Sequence, residues 1–485
     1  MRLSVRYDLK KVVNKLKIND FLKNSILFVI ASFITKAISF LSMPIFTRMM
    51  SAFEYGEVSN FFLWGQLLST FLCLQLSSGL VSAKMNRGEN RFDSYMAGMI
   101  RAGSFFAGVF FAICFIFRFP ICKIAEIKPD YFILLYIYAF SLCLVNMYSG
   151  YCIAVGKAKE RALFSVIYSA FTVVFGLYFT WQCDLKSMGR IMGNTIVCTA
   201  VSVYILVYFY RRPLDNRKEF IRDIRFGLKF GLPLIPHLIA NYINGNIDRI
   251  FIIKELGSGQ QGVYSVAYSL GIVVLAFADA CADAWNPWYY KKTRERSGEE
   301  IKRYFLFYTV TVSIIFNSLM LLSPELMRLM SSKEYWSGTA CVNYIAFGIF
   351  FLFLYRFPLS YEQLCGNTNY VAPATIATAL LNILLNRIWI PEFGIEGAAF
   401  ATAVSYMVLW LLHEIAARKI MKGYNIRIAE YRASVFIVFS GFISAELLRD
   451  MAVIRYLVIL CYCIGYLFYI KFALGSKRGI RNDWF

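Results

Sequence analysis

The segment FGLPLIPHLIANYINGNIDRIFII, residues 230–253, has the length and apolar character of a membrane-spanning helix. About 20 such residues, at 1.5 Å each, cross the roughly 30 Å hydrocarbon core of a bilayer. The segment nonetheless contains two prolines, a histidine, an Asn-Gly-Asn sequence and the adjacent Asp248-Arg249 pair. Ionisable residues at membrane depth are costly and usually functional. The segment therefore predicts a spanning helix that carries a polar site.

Apolar blocks of similar length recur along all 485 residues, of which 59% are hydrophobic and 17% are charged. Soluble domains are less apolar and carry about a quarter charged residues. We therefore predict an all-α polytopic membrane protein with fourteen spanning helices. The predicted spans are 24–47, 57–80, 97–119, 131–153, 162–182, 188–210, 230–253, 261–285, 303–323, 339–363, 370–390, 397–417, 432–448 and 453–474.

The net charge of +21 is distributed as in a membrane protein and does not indicate nucleic acid binding. With the N-terminus inside, segments and helix ends on the inner side hold 36 Lys and Arg residues, and those on the outer side hold 12. This bias predicts cytoplasmic N- and C-termini. The twelve cysteines are scattered without a CxxC pair, and there are two histidines. We expect neither a metal site nor a cofactor.

The two halves of the chain resemble each other weakly. EYGEVS around Gly56 matches QQGVYS around Gly262, and matches at Gly156 with Gly366 and at Trp181 with Trp389 have nearly the same offset, between 206 and 210 residues. Such parallel repeats predict two six-helix bundles. The expected division is an N-terminal arm and first bundle at 1–210, a cytoplasmic amphipathic linker at 211–229, a second bundle at 230–417, and helices 13 and 14 with a cytoplasmic tail at 418–485.

Four motifs together resemble the polysaccharide-repeat (O-antigen type) flippases of the MATE-like, multidrug/oligosaccharidyl-lipid/polysaccharide exporter superfamily. They are FLSMPIFTRMMSAFEYGEVS at 40–59, GLPLIPHLIANYINGNIDRIFI at 231–252, GVYSVAYSL at 262–270 and FGIEGAAFATAVSY at 393–406. The resemblance extends over essentially the whole chain. It implies a MATE-like fold in the bacterial cytoplasmic membrane.

The resemblance further implies that the protein flips a polyprenyl-diphosphate-linked oligosaccharide, an O-antigen, capsule or exopolysaccharide repeat unit, from the inner to the outer leaflet. Alternating access coupled to H⁺ or Na⁺ is the expected mechanism. No bond is broken, so no catalytic residue and no enzymatic activity are expected. Membrane lipids, a polysaccharide polymerase and chain-length proteins are the further expected partners.

Four charged residues are candidates for binding this substrate: Lys36, Asp248, Arg249 and Arg356. Lys36 is predicted near the middle of its span, where its side chain is too short to reach the headgroups. Arg356 suits bidentate binding of a phosphate. Asp248 and Arg249 point about 100° apart on a helix, so each needs its own partner. Structural ion pairs, or a charge pair near the outer surface for Asp248-Arg249, are the alternatives.

Three acids are candidates for ion coupling: Asp279, Asp283 and Glu362. Asp279 and Asp283 are four residues apart and share one helix face, where two carboxylates would raise each other's proton affinity. Solvation at the inner surface is the alternative for Asp283, and a pair with Arg356 is the alternative for Glu362. His237 and His413 are interpreted as residues near the inner surface without a transport role.

A helix break is predicted at Asn244, Gly245 and Asn246, because Gly and Asn tolerate non-helical torsions. Pro233 and Pro236 are assigned to the first turn of the same helix, where a missing N–H costs little. Among the many aromatic residues, Trp64 and Tyr242 are candidates for stacking on sugar faces. A set of charged and polar residues along one helix would then line the transport path.

Three other functions compete with the flippase. A membrane glycosyltransferase, polymerase or ligase is expected to have a large outer loop, whereas the predicted outer loops are short. A multidrug exporter of the same fold favours an acid-lined cavity for organic cations, whereas the deepest charges predicted here include three basic residues. A peptidoglycan-precursor flippase is a close variant that the motifs disfavour.

Overall fold

The computed structural model describes residues 27, 30–87, 91–214, 216–366, 370–419, 424 and 426–475. Within these ranges the secondary structure is helical, and strands are absent. The predicted all-α class is thereby confirmed. The chain divides into two compact units, residues 1–242 and 243–485, with the boundary inside one helix.

The helices of unit 1 pack around a core of large aromatic side chains, including Phe92, Tyr95 and Tyr151. The Phe92 and Tyr151 rings stack with centroids 5.7 Å apart. The helices are α1 (Ile30–Met49), α2 (Ala52–Leu72), α3 (Leu80–Arg87), α4 (Phe92–Ile116), α5 (Arg118–Ala125), α6 (Phe132–Ala154), α7 (Ala158–Trp181), α8 (Lys186–Tyr210) and the first part of α9 (Arg217–Gly271).

Unit 2 has its own aromatic core, in which Phe305 contacts Phe357 and Tyr431 at centroid distances of 4.8 and 4.9 Å. The unit begins within α9 and includes the two C-terminal helices, which pack on α11. The remaining helices are α10 (Val273–Arg294), α11 (Gly298–Leu321), α12 (Ser323–Met330), α13 (Thr339–Leu364), α14 (Val371–Lys419), α15 (Ile428–Leu447) and α16 (Ala452–Gly475).

Two very long helices, α9 and α14, are each a helical hairpin. Gly257 in α9 has φ 82° and ψ 175°, and Gly394 in α14 has φ 59° and ψ −140°, conformations that a residue with a Cβ rarely adopts. Residues 248 and 264 lie 16 positions apart and would be about 24 Å apart on a straight helix. Their side chains nevertheless share a hydrogen bond, so the chain reverses at Gly257.

In α14 the side chains of Asn382 and Ser405 meet at 3.1 Å across Gly394, although 23 positions separate them. The turns at Gly257 and Gly394 fall in the predicted outer loops 254–260 and 391–396. The chain therefore reverses in both predicted loops. Helix α14 is long and apolar enough to cross a membrane, whereas α9 and α10 are not among the described helices that meet this criterion. The separate spans on either side of each loop remain predictions.

In the described residues, ten helices are long and apolar enough to cross a membrane, or eleven if a bent pair is counted as one span. This number treats the 49-residue α14 as one helix. The chain is therefore a multi-pass membrane protein, while the total of fourteen crossings remains a prediction.

The predicted span 57–80 is wrong at its second end. Helix α2 ends at Leu72, and the axis bends by 58° before the helical segment that begins at Leu76. Leu74 and Gln75 have positive φ at the break. The side-chain amide of Gln75 donates to the Thr70 carbonyl at 3.0 Å, which replaces a backbone partner lost at the break.

The predicted helix break at Asn244, Gly245 and Asn246 is wrong as well. These residues are helical, and the non-helical torsion in α9 lies at Gly257. A glycine costs a helix only about 1 kcal/mol, whereas an unpaired backbone group in an apolar environment costs several kcal/mol. Local propensity is therefore overridden at this depth.

Pro233 and Pro236 lie well inside α9 and not in its first turn, because the helix already begins at Arg217. The predicted linker 211–229 is thus largely the beginning of this helix. Its apolar side packs on α4, where the Phe226 and Tyr95 rings meet edge to face at 6.4 Å. The amphipathic pattern is explained by this contact.

The repeat suggested by the sequence reappears in the conformation of equivalent positions. Gly156 follows α6 with φ 74°, and Gly366 follows α13 with φ 68°. Trp181 ends α7, and Trp389 lies in the first half of the α14 hairpin. The positive φ of a glycine after the helix is therefore repeated in the two units, whereas the two tryptophans occupy different places in their helices.

Candidate transport site

The α9 hairpin encloses a buried acid, Asp248, whose side chain is 2% exposed. The hydroxyl of Tyr264, from the other half of the hairpin, donates to Asp248 Oδ2. The backbone N–H of Arg249 donates to Oδ1 at 2.8 Å. Both carboxylate oxygens therefore have hydrogen-bond donors, as a buried carboxylate requires. The alternative of a charge pair that reaches the membrane surface does not fit this burial.

Arg249 leaves the helix in a different direction and lies over an aromatic ring. Its guanidinium carbon is 4.3 Å from the centroid of Tyr268, a cation–π geometry. Arg249 Nη1 also donates to Asn246 Oδ1 at 3.2 Å. Asp248 and Arg249 thus have separate partners, as their helical spacing predicts. Together with Tyr264 and Tyr268 they form what we call the α9 cluster.

A second buried polar pair joins α13 and α14. Glu362 and His413 are both fully buried, and His413 Nδ1 lies 2.9 Å from each carboxylate oxygen of Glu362. The ring of Tyr355 meets the imidazole edge to face, with centroids 4.6 Å apart. His413 therefore has a buried partner, while its position near the inner surface stays a prediction. Tertiary packing buries it against an acid 51 positions away.

Arg356 lies in α13 and is half-buried. Both Arg356 and Glu362 interact electrostatically with the side chain of Tyr355. Glu362 has His413 as a hydrogen-bond partner. The structure thus brings Arg356, Tyr355, Glu362 and His413 into one region of unit 2.

In unit 1, Lys36 lies on α1 with an exposed side chain. The same unit contains a polar cluster that the sequence analysis did not identify. The guanidinium of Arg190 in α8 lies 4.2 Å from the ring centroid of Phe46 and 4.8 Å from that of Tyr55. It therefore joins α8 to the helices that contain the first family-like motif.

Glu57 in α2 is the acid closest in sequence to this motif's end, and it is paired. Lys128 Nζ lies 2.7 Å from Glu57 Oε1, and the Ser187 hydroxyl donates to Oε2 at 2.9 Å. The hydrogen bond with Glu57 raises the pKa of Lys128, which lies outside the spanning segments. These contacts tie α2 to the start of α6 and α8.

Unit 1 also has an apolar cavity of about 650 Å³ between α4, α6 and α8. Its lining includes exposed apolar side chains, which in a bilayer would face lipid. The lining residues are Ser104, Ala107, Gly108, Phe111, Ile133, Tyr136, Ile137, Phe140, Leu206, Val207 and Tyr210.

Several predicted site residues lie outside the part that can be described. The side chains of Asn244, Asp279 and Asp283, and that of His237, lie outside the described residues, although their backbones are helical. Their roles stay predictions. The suggested sugar-stacking residue Tyr242 is half-buried, and its hydroxyl donates to the Leu63 carbonyl at 2.5 Å.

Sequence reasoning missed Tyr264, Tyr268, His413 and Arg190. For the tyrosines a signal existed, because both lie in GVYSVAYSL, one of the four motifs that carry the family resemblance. For His413 the signal was a titratable residue inside an apolar span, which was discounted because of its presumed depth. No sequence pattern points to the partners of Arg190, which are distant in the chain.

A family model described as polysaccharide biosynthesis protein matches residues 21–293, more than half of the chain. The chain is also 22% identical over 416 residues to the probable low-salt glycan biosynthesis flippase Agl15 of Haloferax volcanii. That match covers 81% of this chain and 83% of Agl15. The family and the relative agree with the resemblance carried by the four motifs.

Two solved structures share the fold. The lipid II flippase MurJ in an inward closed conformation matches with a TM-score of 0.67 and 16% identity, over 93% of this chain and all of MurJ. An inward-facing MATE family multidrug resistance transporter matches with a TM-score of 0.60 and 16% identity, over 86% of this chain and 96% of the transporter. The predicted MATE-like fold is thereby confirmed.

Proposed function

Because this chain belongs to the polysaccharide biosynthesis protein family, we propose that it flips a polyprenyl-diphosphate-linked oligosaccharide from the inner to the outer leaflet of the cytoplasmic membrane. The cargo is an O-antigen, capsule or exopolysaccharide repeat unit. Movement occurs by alternating access coupled to a gradient of H⁺ or Na⁺. No bond is broken, so the protein acts as a transporter and not as an enzyme. The glycan flippase among its relatives supports this class of cargo.

The observation that carries the proposal is the α9 cluster. An acid that is 2% exposed and a guanidinium stacked on tyrosine lie inside the α9 helical hairpin. Charged groups in a membrane cost several kcal/mol and are kept where transport needs them. In a family that handles lipid-linked glycans, a basic group beside hydroxyls and a carboxylate suits a diphosphate and its sugars.

Each candidate is assigned a role from its chemistry. Arg249 and Arg356 bind phosphate oxygens through their planar guanidinium groups. Lys36 contributes a point charge for the diphosphate or an acidic sugar. Asp248, held by Tyr264, accepts hydrogen bonds from sugar hydroxyls. Asp279, Asp283 and Glu362 are assigned to ion coupling, and the apolar cavity of unit 1 suits part of the isoprenoid chain.

The termini are placed in the cytoplasm on the basis of the Lys and Arg distribution. A polysaccharide polymerase and chain-length proteins would receive the flipped lipid on the outer side. This order follows from chemistry, because a repeat unit must be on the outer leaflet before enzymes there can join it to others.

Deletion of the gene tests the proposed function. We expect one lipid-linked glycan to accumulate on the cytoplasmic face, as measured by extraction and mass spectrometry of prenyl-diphosphate lipids. The plasmid-borne gene should restore export, whereas Lys36→Ala and Arg356→Ala should not, at equal protein level. Lys302→Ala is the matched control, because its ammonium is paired on the surface with Glu299 of its own helix at 2.5 Å.

Two outcomes would overturn the proposal. Unchanged glycan display together with new drug sensitivity would indicate a multidrug exporter. Accumulation of the peptidoglycan precursor alone would indicate a lipid II flippase.

A further inference from the structure

The Glu362–His413 pair is a buried acid and base with no counterpart among the assigned substrate contacts. Both side chains have zero exposure, and one nitrogen of His413 is shared equally between the two carboxylate oxygens at 2.9 Å. The other nitrogen, Nε2, is buried without a hydrogen-bond partner among the described residues. A buried polar atom without a partner costs about 1–3 kcal/mol. The arrangement therefore has an unused proton-binding position.

Aromatic and polar groups of α13 and of the helices packed on it, α10, α11, α14 and α15, lie in the region of the pair. Tyr355 and Arg356 lie on α13, the helix that also carries Glu362. The Tyr355 ring lies against the imidazole of His413. On α14, Glu414 follows His413 but binds Arg418 and accepts a hydrogen bond from Tyr431 of α15 at 3.1 Å.

From α10, Tyr289 lies within electrostatic range of Glu414, and from α11, Tyr308 packs on Phe357, one turn before Tyr361. Tyr424, between α14 and α15, binds the Tyr431 hydroxyl at 2.9 Å. The second acid, Glu414, is thus neutralised by its own partners. Glu362 and His413 are paired with each other.

This burial makes the pair sensitive to proton binding. With one proton shared between Nδ1 and the carboxylate and none on Nε2, Glu362 and His413 carry a net charge of −1. A second proton, on Nε2, makes the unit neutral. The charged state is expensive in a dry interior and cheap when water enters. The protonation state of the pair is therefore linked to whether the helices around it are open or closed.

The same geometry favours H⁺ over Na⁺. A hard cation needs several oxygen ligands. Here both oxygens of Glu362 are occupied by a nitrogen of His413. A proton needs only one of the atoms already present.

We propose that Glu362 and His413 together form the proton-binding site that couples transport to the pH gradient. The proposal rests on the proposed flippase function and narrows its coupling ion to H⁺. The pair binds a proton from the outer side when it is accessible there and releases it to the cytoplasm when the transporter reopens inward. His413 is a coupling residue here, and it adds to the acid inferred from sequence.

The first experiment requires no substrate. The full-length protein in liposomes is titrated from acid to alkaline pH by infrared difference spectroscopy. We expect a carboxyl C=O band that disappears in Glu362→Gln and whose midpoint shifts in His413→Gln. Glu299→Gln is the matched control, since that side chain is 90% exposed. A band that is identical in Glu362→Gln and the wild type would overturn the proposal.

The second experiment measures coupling with a fluorescent polyprenyl-diphosphate-linked oligosaccharide in the same liposomes. A gradient of one pH unit should shift the steady-state ratio of the lipid between leaflets by about tenfold for one proton per lipid. Glu362→Gln and His413→Gln should equilibrate the lipid but lose this shift. A shift that persists in both variants, or one that follows Na⁺ and not H⁺, would contradict the proposal.

The double variant Glu362→Gln/His413→Gln guards against misfolding of the single ones. It removes both charges together, so no lone charge is left in the interior. It should be uncoupled and folded. If the wild type moves no lipid at all, the flippase function fails, while the infrared titration still decides whether the pair binds the proton.

Discussion

The α9 and α14 hairpins use the same backbone device and differ in what they hold at their centres. Each reverses at one glycine with positive φ, and each is closed by a side-chain hydrogen bond between its halves. In α14 the bond joins the neutral groups of Asn382 and Ser405. In α9 it joins Tyr264 to a buried carboxylate beside a guanidinium. Neutral groups suffice to hold a hairpin together, so the charges of α9 need another explanation.

We propose transport as that explanation. A neutral interhelical hydrogen bond in a membrane contributes roughly 0.6 kcal/mol on average, whereas a buried charge costs several kcal/mol before it is compensated. A protein selected for stability alone would close both hairpins with a hydrogen bond between neutral side chains, as α14 does. If the charges of the α9 hairpin serve transport, the two hairpins should respond differently to substitution.

The largest difference is expected for transport. Asp248→Asn removes a charge-assisted hydrogen bond worth about 1.5–3 kcal/mol, which corresponds to a roughly 10- to 100-fold slower rate of lipid movement. The flipping assay in liposomes measures it. Asn382→Ala in the α14 hairpin is the matched control and should retain the wild-type rate. Equal losses in both variants would show that α9 is structural as well.

The glycine turns should be equally sensitive in both hairpins. Gly257→Ala and Gly394→Ala each force a Cβ into a conformation that costs about 1–3 kcal/mol, so each should lower the melting temperature of the purified protein. The control is Gly465→Ala in α16, where an added Cβ meets nothing within 4 Å. This change should leave stability the same or raise it by up to about 1 kcal/mol. A tolerated alanine at Gly257 would argue against the tight reversal.

Tyr264→Phe separates the hydrogen bond of the α9 cluster from its packing. The ring remains, but Asp248 Oδ2 loses its O–H donor, at a cost of about 1–3 kcal/mol in the free energy of unfolding. The loss is measured by thermal melting in detergent. Tyr204→Phe is the control, because Tyr204 is 61% exposed on α8. A melting temperature like that of the wild type would mean that Asp248 has other sufficient donors.

The smallest effect is expected in α14. A double-mutant cycle of Asn382→Ala and Ser405→Ala should give a coupling free energy of about 0.6 kcal/mol, the average for such bonds in membranes. A coupling of several kcal/mol would remove the contrast between the two hairpins.

Much of the fold could be predicted because apolar length and Lys and Arg position act locally. The loops in which the chain reverses, at Gly257 and Gly394, lie between spans predicted in this way. The breaks were harder. Asn244-Gly245-Asn246 looks like a break by propensity, but backbone hydrogen bonds dominate at membrane depth, and the real turn lies twelve positions after Gly245.

The candidate site also has a part that the sequence predicts and a part that it does not. Charged residues within apolar spans, such as Asp248, Arg249 and Glu362, are visible in the sequence because their cost in lipid makes them conspicuous. Their partners are not visible in this way, since Tyr264 and His413 are ordinary residues until packing brings them to a carboxylate.

The amino-acid sequence by itself determined the membrane class, the approximate spans, the family resemblance and the charges that must be explained. Only the tertiary structure decided which groups contact one another: Asp248 with Tyr264, Arg249 with Tyr268, and Glu362 with His413. The physical reason is range. Hydrophobicity and helix formation depend on neighbours along the chain, whereas the energy of a buried charge depends on atoms a few ångströms away that belong to distant segments.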